Sequence, residues 1–352
     1  IARYARSLIS ALMENSFNEE FILFINRFRE RGKVWRPKRG SCRVRQICFP
    51  RHILQSIWDT FNWPPIELFC GSIDLFHGLH FILPPVRTAR RVLTVHDLTY
   101  LKYPDYFSNR NLNERGYRSE LPQGLKRADA VIAVSQKTRE DLVELMKYPE
   151  ERIWVIYEGL GPHFLNHVEG KEAELTRQRY GLDRPYLVYL VGTPEPRKNL
   201  KNTVAAAKKA APQLTLALIG PQKPLELMLA ENSHNTIFLD VVPEEHLPAI
   251  LSGAQISLYP SLYEGFGLPV IESMACGAPV ITSNHGALSE VAGDAALFVD
   301  PENIDSIAGG ISELLSNEEL KRNLHAAGIE RAAKFTWQKT AEKTLSLYRE
   351  LI

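Results

Sequence analysis

The chain has 352 residues, of which 45% are hydrophobic and 24% charged. This length and composition predict two globular domains with hydrophobic cores. The formal net charge of +1 gives no overall field that would favour nucleic acid, and no stretch approaches the roughly 20 apolar residues of a membrane span. The four cysteines show no metal-like spacing and no signal peptide is recognisable, so a cytoplasmic protein is expected.

The chain starts at Ile1 as the first turn of a helix, with no initiator Met and no strand before it. If the first domain is a nucleotide-binding sheet, its first strand and the following turn are expected upstream of Ile1.

Short β-branched runs then alternate with helical stretches, which is typical of parallel α/β sheets. The strands predicted in the first half are Phe21–Ile25, Ile73–His77, Arg91–Val95, Ala130–Val134 and Ile153–Ile156. Ser135 is predicted to cap the following helix. The strands predicted in the second half are Tyr186–Val191, Leu214–Ile219, Thr236–Leu239, Ile256–Tyr259, Val280–Thr282 and Ala296–Val299. We therefore expect two doubly wound, Rossmann-like α/β domains facing a central cleft, spanning residues 1–165 and 166–335, with a final helix over 336–352. Ligands of such sheets bind at the carboxyl ends of the strands.

A strongly basic stretch lies in the first domain. Between Arg27 and Arg51 stand ten basic residues and one acid; the basic residues are Arg27, Arg29, Arg31, Lys33, Arg36, Lys38, Arg39, Arg43, Arg45 and Arg51. Apolar and aromatic residues follow at near-helical spacing as far as Trp63. One interpretation is a surface over Arg27–Trp63 that rests on an anionic membrane. The other is a core-packed helix beside a solvated loop. Nucleic-acid binding is disfavoured because no recognised motif accompanies the charge.

The strongest local pattern runs from Glu264 to Glu272 and follows the predicted strand Ile256–Tyr259. Its glycines allow close approach of the backbone to a ligand, and the amides at the start of the next helix form an anion site. Two carboxylates beside an anion site would repel phosphate. They are explained if one binds sugar hydroxyls and the other ribose hydroxyls. The alternative is a Gly-Pro helix entry with two solvated acids.

A second pattern, Glu195-Pro196-Arg197-Lys198-Asn199, follows the first strand of the second domain. Arg197 and Lys198 can neutralise a diphosphate, including the charge that builds on it as a leaving group. They would replace the divalent metal that other enzymes use for this purpose, and the sequence indeed contains no Asp-x-Asp. The alternative is a solvated pair of cations.

A third pattern, Thr94-Val95-His96-Asp97, places polar groups at the end of a buried strand. His96 there can bind a transferred group or assist proton movement. The alternative is a packed histidine with its hydrogen bonds satisfied. His77 and His80 are similar but weaker candidates, and no helical histidine pair with an acidic third ligand supports a metal site.

Together these patterns resemble the retaining glycosyltransferases of family 4, which have the GT-B fold. The hallmark is the Glu-x7-Glu element at Glu264 and Glu272. The other matching segments are Glu195–Leu200, Val95–Leu98, Ala128–Ser135 and Gly286–Pro301.

The resemblance implies a role for each site residue. Arg197 and Lys198 would bind the donor diphosphate, helped by amides around Phe266, Gly267 and Leu268, with Glu195 beside them. Glu272 would hold the ribose, Glu264 and His96 the donor sugar, and the strand end around Val241 the nucleobase through backbone groups. The final helix would cross back to the first domain.

The expected activity is transfer of a hexose, with GDP-mannose as the first choice of donor, to a saccharide or lipid-linked saccharide in polysaccharide biosynthesis. No cofactor and no metal are expected, and location is cytoplasmic with a peripheral contact at the inner face of the membrane. The alternatives are a non-catalytic nucleotide-sugar-binding subunit and a nucleotide-sugar epimerase of the same architecture. A nicotinamide oxidoreductase is disfavoured because no Gly-x-Gly-x-x-Gly turn follows a strand.

Overall fold

The computed structural model describes residues 1–16, 18–28, 35–37, 42–104, 112–165, 170–229 and 235–352, the side chains of 112–118 and 227–228 excepted. The chain divides into two compact units, residues 1–159 with 337–352 and residues 160–336. The first boundary therefore lies before residue 160, whereas the sequence placed it at 165. The reason is local pairing: the amide of Leu160 donates to the carbonyl of Phe335 at 3.1 Å, and Leu160 forms a parallel bridge with Thr336.

The elements alternate along the chain as parallel α/β units require. The strands are β1 Phe21–Asn26, β2 Cys42–Ile47, β3 Leu75–Gly78, β4 Arg90–Val95, β5 Ala130–Ala133, β6 Ile153–Val155, β7 Tyr186–Leu190, β8 Thr215–Ile219, β9 Thr236–Phe238, β10 Ile256–Tyr259, β11 Val280–Ser283 and β12 Leu297–Val299. The helices are α1 Ala2–Asn15, α2 Arg51–Phe61, α3 Glu67–Cys70, α4 Thr99–Lys102, α5 Leu112–Arg127, α6 Gln136–Met146, α7 Lys171–Arg179, α8 Leu200–Ala210, α9 Gln222–Leu229, α10 Leu247–Ser252, α11 Leu268–Ala275, α12 Gly286–Ala292, α13 Ile304–Ser316, α14 Glu318–Ala332 and α15 Trp337–Leu351.

In the first unit, the described strands form a parallel sheet in the order β3-β4-β5-β6 and a separate parallel pair, β1 and β2. The central strand β5 is buried along its whole length, and Ser135 caps α6 by accepting a hydrogen bond from the amide of Thr138 at 3.0 Å, as predicted. The helix α15 packs on this unit, where Leu347 joins the core beside Val92 and Ile132.

Strand β2 was not predicted, because the basic composition of that stretch favoured a loop. The structure shows that Arg43 and Arg45 are exposed while Val44 between them is partly buried. This alternation is the period-two pattern of a strand with one face toward solvent. Five basic residues of this stretch lie outside the described residues, namely Arg29, Arg31, Lys33, Lys38 and Arg39.

In the second unit, the described strands form one parallel sheet in the order β12-β11-β10-β7-β8-β9. The chain starts in the middle at β7, proceeds to one edge at β9, and returns to β10 on the other side of β7. The direction of strand addition therefore reverses between β7 and β10. In open α/β sheets such a reversal separates the loops at the carboxyl ends and creates a ligand crevice. The loops after β7 and β10 are the two richest in candidate residues.

Candidate functional site

The loops after β7 and β10 are locked to each other by main-chain and side-chain hydrogen bonds. Pro196–Lys198 form a 3₁₀ turn that ends at Asn199, whose φ of 56° is left-handed. The side-chain amide of Asn199 donates to the carbonyls of Pro260 and Pro301 at 3.0 and 2.6 Å. The amide of Leu262 donates to the carbonyl of Arg197 at 2.7 Å. These bonds fix the backbone from which the two cations project.

Glu264 binds both cations of the preceding loop. Its Oε2 accepts from Arg197 Nη1 at 2.5 Å, and its Oε1 accepts from Lys198 Nζ at 2.6 Å. On the other side of the guanidinium, Arg197 Nε donates to Glu195 Oε2 at 2.5 Å. The structure therefore brings Glu195, Arg197, Lys198 and Glu264 together, although Glu264 is 67 positions from Arg197 in the chain.

The protonation of this cluster follows from burial and charge acting in opposite directions. Burial alone would raise the pKa of Glu264, but the charges of Arg197 and Lys198 outweigh burial and lower that pKa to about 2. Burial lowers the pKa of Lys198, while the charge of Glu264 opposes the decrease. Each charge is thus maintained by its partner, as expected for a buried ion pair.

Two tyrosines complete the cluster from the sheet side. Tyr189 of β7 donates its hydroxyl hydrogen to the carbonyl oxygen of Lys198. Tyr259 of β10 accepts from Lys198 Nζ at 2.7 Å and donates to Glu264 Oε1 at 3.1 Å. Their rings are 5.7 Å apart in an edge-to-face arrangement. The ammonium of Lys198 consequently rests on a surface made by strand side chains.

The segment that follows Glu264 prepares the start of α11. Gly267 has a φ of 114°, and a Cβ there would lie 2.7 Å from Leu288 Cδ2, so glycine is required. Phe266 is buried edge-to-face against Phe335 with centroids 5.7 Å apart, so any ligand contact at Phe266 would use its backbone. Leu268, which is partly buried, begins the helix, whose first amides point toward its N-terminal end.

The remaining predicted donor-binding residues lie on α11 and after β9. Glu272 is fully buried within α11, eight positions after Glu264. Val241 is 73% exposed at the carboxyl end of the edge strand β9, flanked by buried Val242. No hydrogen bond or ion pair among the described residues joins Val241 to the charged cluster, and its contact with a nucleobase stays a prediction.

In the first unit, His96 follows β4 and has acceptors at both ring nitrogens. Its Nδ1 lies 3.1 Å from Glu158 Oε1, and its Nε2 lies 3.1 Å from the carbonyl oxygen of Leu79. The ring of Tyr4 packs edge-to-face on it at 4.6 Å. These contacts hold the His96 ring in one orientation after the end of β4.

The other two histidine candidates are partly buried side chains of the same unit. His77 is bonded through Nδ1 to Tyr348 at 2.5 Å and through Nε2 to Thr94 at 2.7 Å. Burial lowers the pKa of His77 to about 3, and the charge of His96 adds to this effect. Burial likewise lowers the pKa of His80 to about 3, and its ring lies 3.6 Å from that of Phe81. His77 therefore matches the interpretation as a packed histidine with its hydrogen bonds satisfied.

Sequence reasoning missed three residues that complete these clusters, namely Glu158, Tyr189 and Tyr259. A signal was present for two of them. Tyr259 is the last residue of β10, and Glu158 follows the end of β6, so the rule that ligand-binding groups lie at carboxyl ends of strands covers both. Tyr189 lies one residue before the end of β7 and had no distinguishing pattern.

No group of three His, Cys, Asp or Glu side chains with metal-binding geometry occurs in the described part of the chain. Nor does any helix within it combine the length and apolar character required to cross a bilayer. Metal independence stays a prediction.

Comparisons with known proteins cover both units. The family described as Glycosyltransferase Family 4 matches residues 1–163, and the family described as Glycosyl transferases group 1 matches residues 172–331. The O-antigen chain mannosyltransferase B of Escherichia coli is 30% identical over 287 residues, 79% of this chain and 74% of that protein. The serotype-specific mannosyltransferase WbdA of Escherichia coli is 28% identical over 277 residues, 75% of this chain but 34% of that longer protein.

Among solved structures, sucrose-phosphate synthase from Thermosynechococcus elongatus superposes with a TM-score of 0.78 at 24% identity, covering 99% of this chain and 92% of that one. The fold is therefore GT-B, the class of two Rossmann-like α/β domains, and the expected fold class is confirmed. The chain belongs to the glycosyl transferases group 1 and family 4 glycosyltransferases, as its motifs indicated. It is a glycosyltransferase whose relatives include O-antigen mannosyltransferases.

Proposed function

We propose that this glycosyltransferase moves mannose from GDP-mannose to a saccharide or lipid-linked saccharide acceptor during polysaccharide synthesis, with retention at the anomeric carbon. The observation that carries the proposal is the cation pair Arg197 and Lys198, which Glu264 holds. These residues follow the carboxyl ends of the neighbouring strands β7 and β10, where the direction of strand addition reverses. The choice of mannose rests on the mannosyltransferases among the relatives.

In this proposal the cation pair binds the donor diphosphate. The ammonium of Lys198 has three hydrogens, of which two are directed to Glu264 and Tyr259, and the third can go to a phosphate oxygen. The guanidinium of Arg197 contributes planar donors suited to phosphate. Amides at Phe266, Gly267 and Leu268 add a neutral anion site at the start of α11.

The charged cluster provides the main electrostatic contribution to the reaction. The bond between the anomeric carbon and the donor phosphate oxygen breaks, and negative charge accumulates on the diphosphate, where Arg197 and Lys198 stabilise it without a metal. The acceptor hydroxyl oxygen then bonds the anomeric carbon from the same face, and its proton passes to a phosphate oxygen of the leaving group. No cofactor takes part in this scheme.

The remaining residues position the donor. Glu272 is assigned to the ribose, the backbone around Val241 to the base, and Glu264 to the donor sugar through lone pairs left over from its cation contacts. His96, directed by Glu158, is assigned to the donor sugar from the first unit.

We further propose a peripheral contact with an anionic membrane surface through the segment Arg27–Trp63, on the cytoplasmic side. The described part of this segment supports both earlier interpretations. On α2, Leu54 and Trp58 are buried, whereas Ile53 is 43% exposed. Phe61, the last residue of the helix, and Trp63, two residues later, are 72% and 59% exposed, and Arg51 at the start of the helix is also exposed. All four cysteines are free, which agrees with a reducing compartment.

The test is donor binding followed by transfer. Thermal unfolding is measured with GDP, UDP and ADP and their sugar conjugates, since a ligand of the native state raises its stability. Stabilisation by GDP and GDP-mannose above the others is expected, followed by transfer of mannose with an α configuration shown by NMR. Stabilisation by UDP or ADP alone would refute the donor. Turnover of donor without any acceptor would favour an epimerase, and tight binding without transfer or hydrolysis would favour a non-catalytic subunit.

A further inference from the structure

The hydroxyl of Tyr259 completes a triangle of hydrogen bonds with the side chains of Lys198 and Glu264. Lys198 Nζ lies 2.6 Å from Glu264 Oε1 and 2.7 Å from the Tyr259 oxygen, which in turn lies 3.1 Å from Glu264 Oε1. The Tyr259 side chain is 2% exposed. A phenylalanine would fill nearly the same volume, so the contribution of the hydroxyl is polar and can be separated from packing.

The surroundings of Lys198 disfavour its charged form, so a hydrogen-bond acceptor for its ammonium at the position of the Tyr259 oxygen is important. Burial and the charge of Arg197 both act against the ammonium, whereas Glu264 and Glu195 favour it, and the sum lowers the pKa of Lys198 below its usual value. The Tyr259 oxygen is the neutral acceptor in this group. Burial, together with the charge of Glu264, raises the pKa of Tyr259 well above 10, so its hydroxyl stays protonated and donates to Glu264.

We propose that Tyr259 is a positioning residue of the donor site: by accepting from Lys198 and donating to Glu264, it keeps Lys198 in its ammonium form and directed at the donor diphosphate. The inference rests on the proposed function, because the diphosphate is the ligand that requires this charge. Tyr259 itself touches no reacting atom in this scheme. Its loss is expected to act through Lys198.

Tyr189 provides a matched control variant. It is also a buried tyrosine of the same sheet, its ring contacts that of Tyr259, and its hydroxyl also bonds Lys198. The acceptor, however, is the backbone carbonyl of Lys198, which does not titrate. Tyr189→Phe therefore removes a comparable hydrogen bond and a comparable titratable phenol, while leaving the ammonium with both of its acceptors.

The first experiment needs no ligand. The free energy of unfolding of the wild type, Tyr259→Phe and Tyr189→Phe is measured from neutral to alkaline pH. Losing an acceptor lowers the pKa of folded Lys198 further. The stability difference between Tyr259→Phe and the wild type is therefore largest at the pH values where Lys198 is charged. This difference becomes smaller as the pH rises and Lys198 loses its proton. Tyr189→Phe must lack the part of this pH dependence that comes from Lys198, so its stability difference from the wild type should change less with pH. An equal pH dependence of the two variants would overturn the proposal.

The second experiment follows the pH dependence of kcat/KM with GDP-mannose and acceptor. Tyr259→Phe is expected to lose activity on the alkaline side about one to two pH units earlier than Tyr189→Phe, as for loss of a hydrogen bond to a charged group. Lys198→Arg, whose guanidinium does not deprotonate, should lack this alkaline decline. An unchanged decline in Lys198→Arg overturns the proposal even if Tyr259→Phe does not fold. If the wild type uses no nucleotide sugar, the proposed function fails while the ligand-free comparison still decides the role of Tyr259.

Discussion

Replacing Glu264 with glutamine tests the charged cluster most directly. The change preserves the size of the side chain but leaves Arg197 and Lys198 without the carboxylate that faces both. The lowering of the Glu264 pKa from 4.5 to about 2 corresponds to about 3 kcal/mol of stability at neutral pH. Breaking one partner of a buried ion pair costs about 3–5 kcal/mol, so the two estimates agree.

We expect Glu264→Gln to lower the melting temperature by roughly 6–12 °C, since about 1 kcal/mol corresponds to 2–4 °C for a domain of this size class. Thermal or urea unfolding at neutral pH measures the effect. The control is Glu195→Gln, whose carboxylate contacts Arg197 and is more exposed than that of Glu264. Its loss should stay within about 1 kcal/mol.

Two further measurements separate charge from packing. In the wild type, Glu264 has a lowered folded-state pKa, so its contribution is present above pH 4.5 and is lost as pH falls toward 2. The stability difference between wild type and Glu264→Gln should therefore close over that range. Pyrophosphate should stabilise the glutamine variant more than the wild type, because its negative charge would replace the carboxylate that Lys198 and Arg197 have lost. A loss below about 1 kcal/mol, with no dependence on pH or pyrophosphate, would refute the reasoning.

Three predictions concern activity and affinity. Arg197→Ala should reduce kcat by about 10²–10³-fold, as for loss of one donor to developing negative charge; unchanged turnover in steady-state assays would contradict this role. Glu158→Gln should lower kcat with little effect on the Kd for GDP, because Glu158 acts on His96 in the first unit; calorimetry showing an equal loss of GDP affinity would argue against it. Glu272→Ala should weaken binding of GDP but not of pyrophosphate, which has no ribose, and equal weakening of both would exclude a ribose contact.

Much of the fold could be predicted because its strands are short apolar runs bounded by turn residues. Strand β10 was predicted with both of its ends, and β4 and β5 within one residue. Strand β2 was missed because arginines on its exposed face dominated the composition. The domain boundary was placed too late because the backbone pairing of Leu160 with the stretch before α15 joins residues far apart in the chain.

The sequence predicted which loops form the candidate site, but not which of their side chains contact each other. The Glu195–Asn199 and Glu264–Glu272 segments were recognised from glycine, proline and charge at strand ends. Their mutual pairing depends on β7 and β10 being neighbours, and that neighbour relation comes from the order of strands in the sheet. That Glu264 binds a ligand stays a prediction from the sequence, and the structure adds its two cation partners. Glu158 was overlooked because it follows the last predicted strand of the first domain without any recognised motif.

The pairing also explains how a buried ammonium persists when no diphosphate is bound. Burial and Arg197 together act against the charge on Lys198, and without Glu264 both effects would favour the neutral amine. With Glu264 in place, the empty site keeps its cations charged and oriented, so the diphosphate meets donors that need no reorganisation. One carboxylate thus determines both the stability of the empty unit and the electrostatic strength of the occupied one. Substitution of Glu264 changes both together, whereas Tyr259→Phe is expected to lower the pKa of Lys198 while Glu264 stays in place.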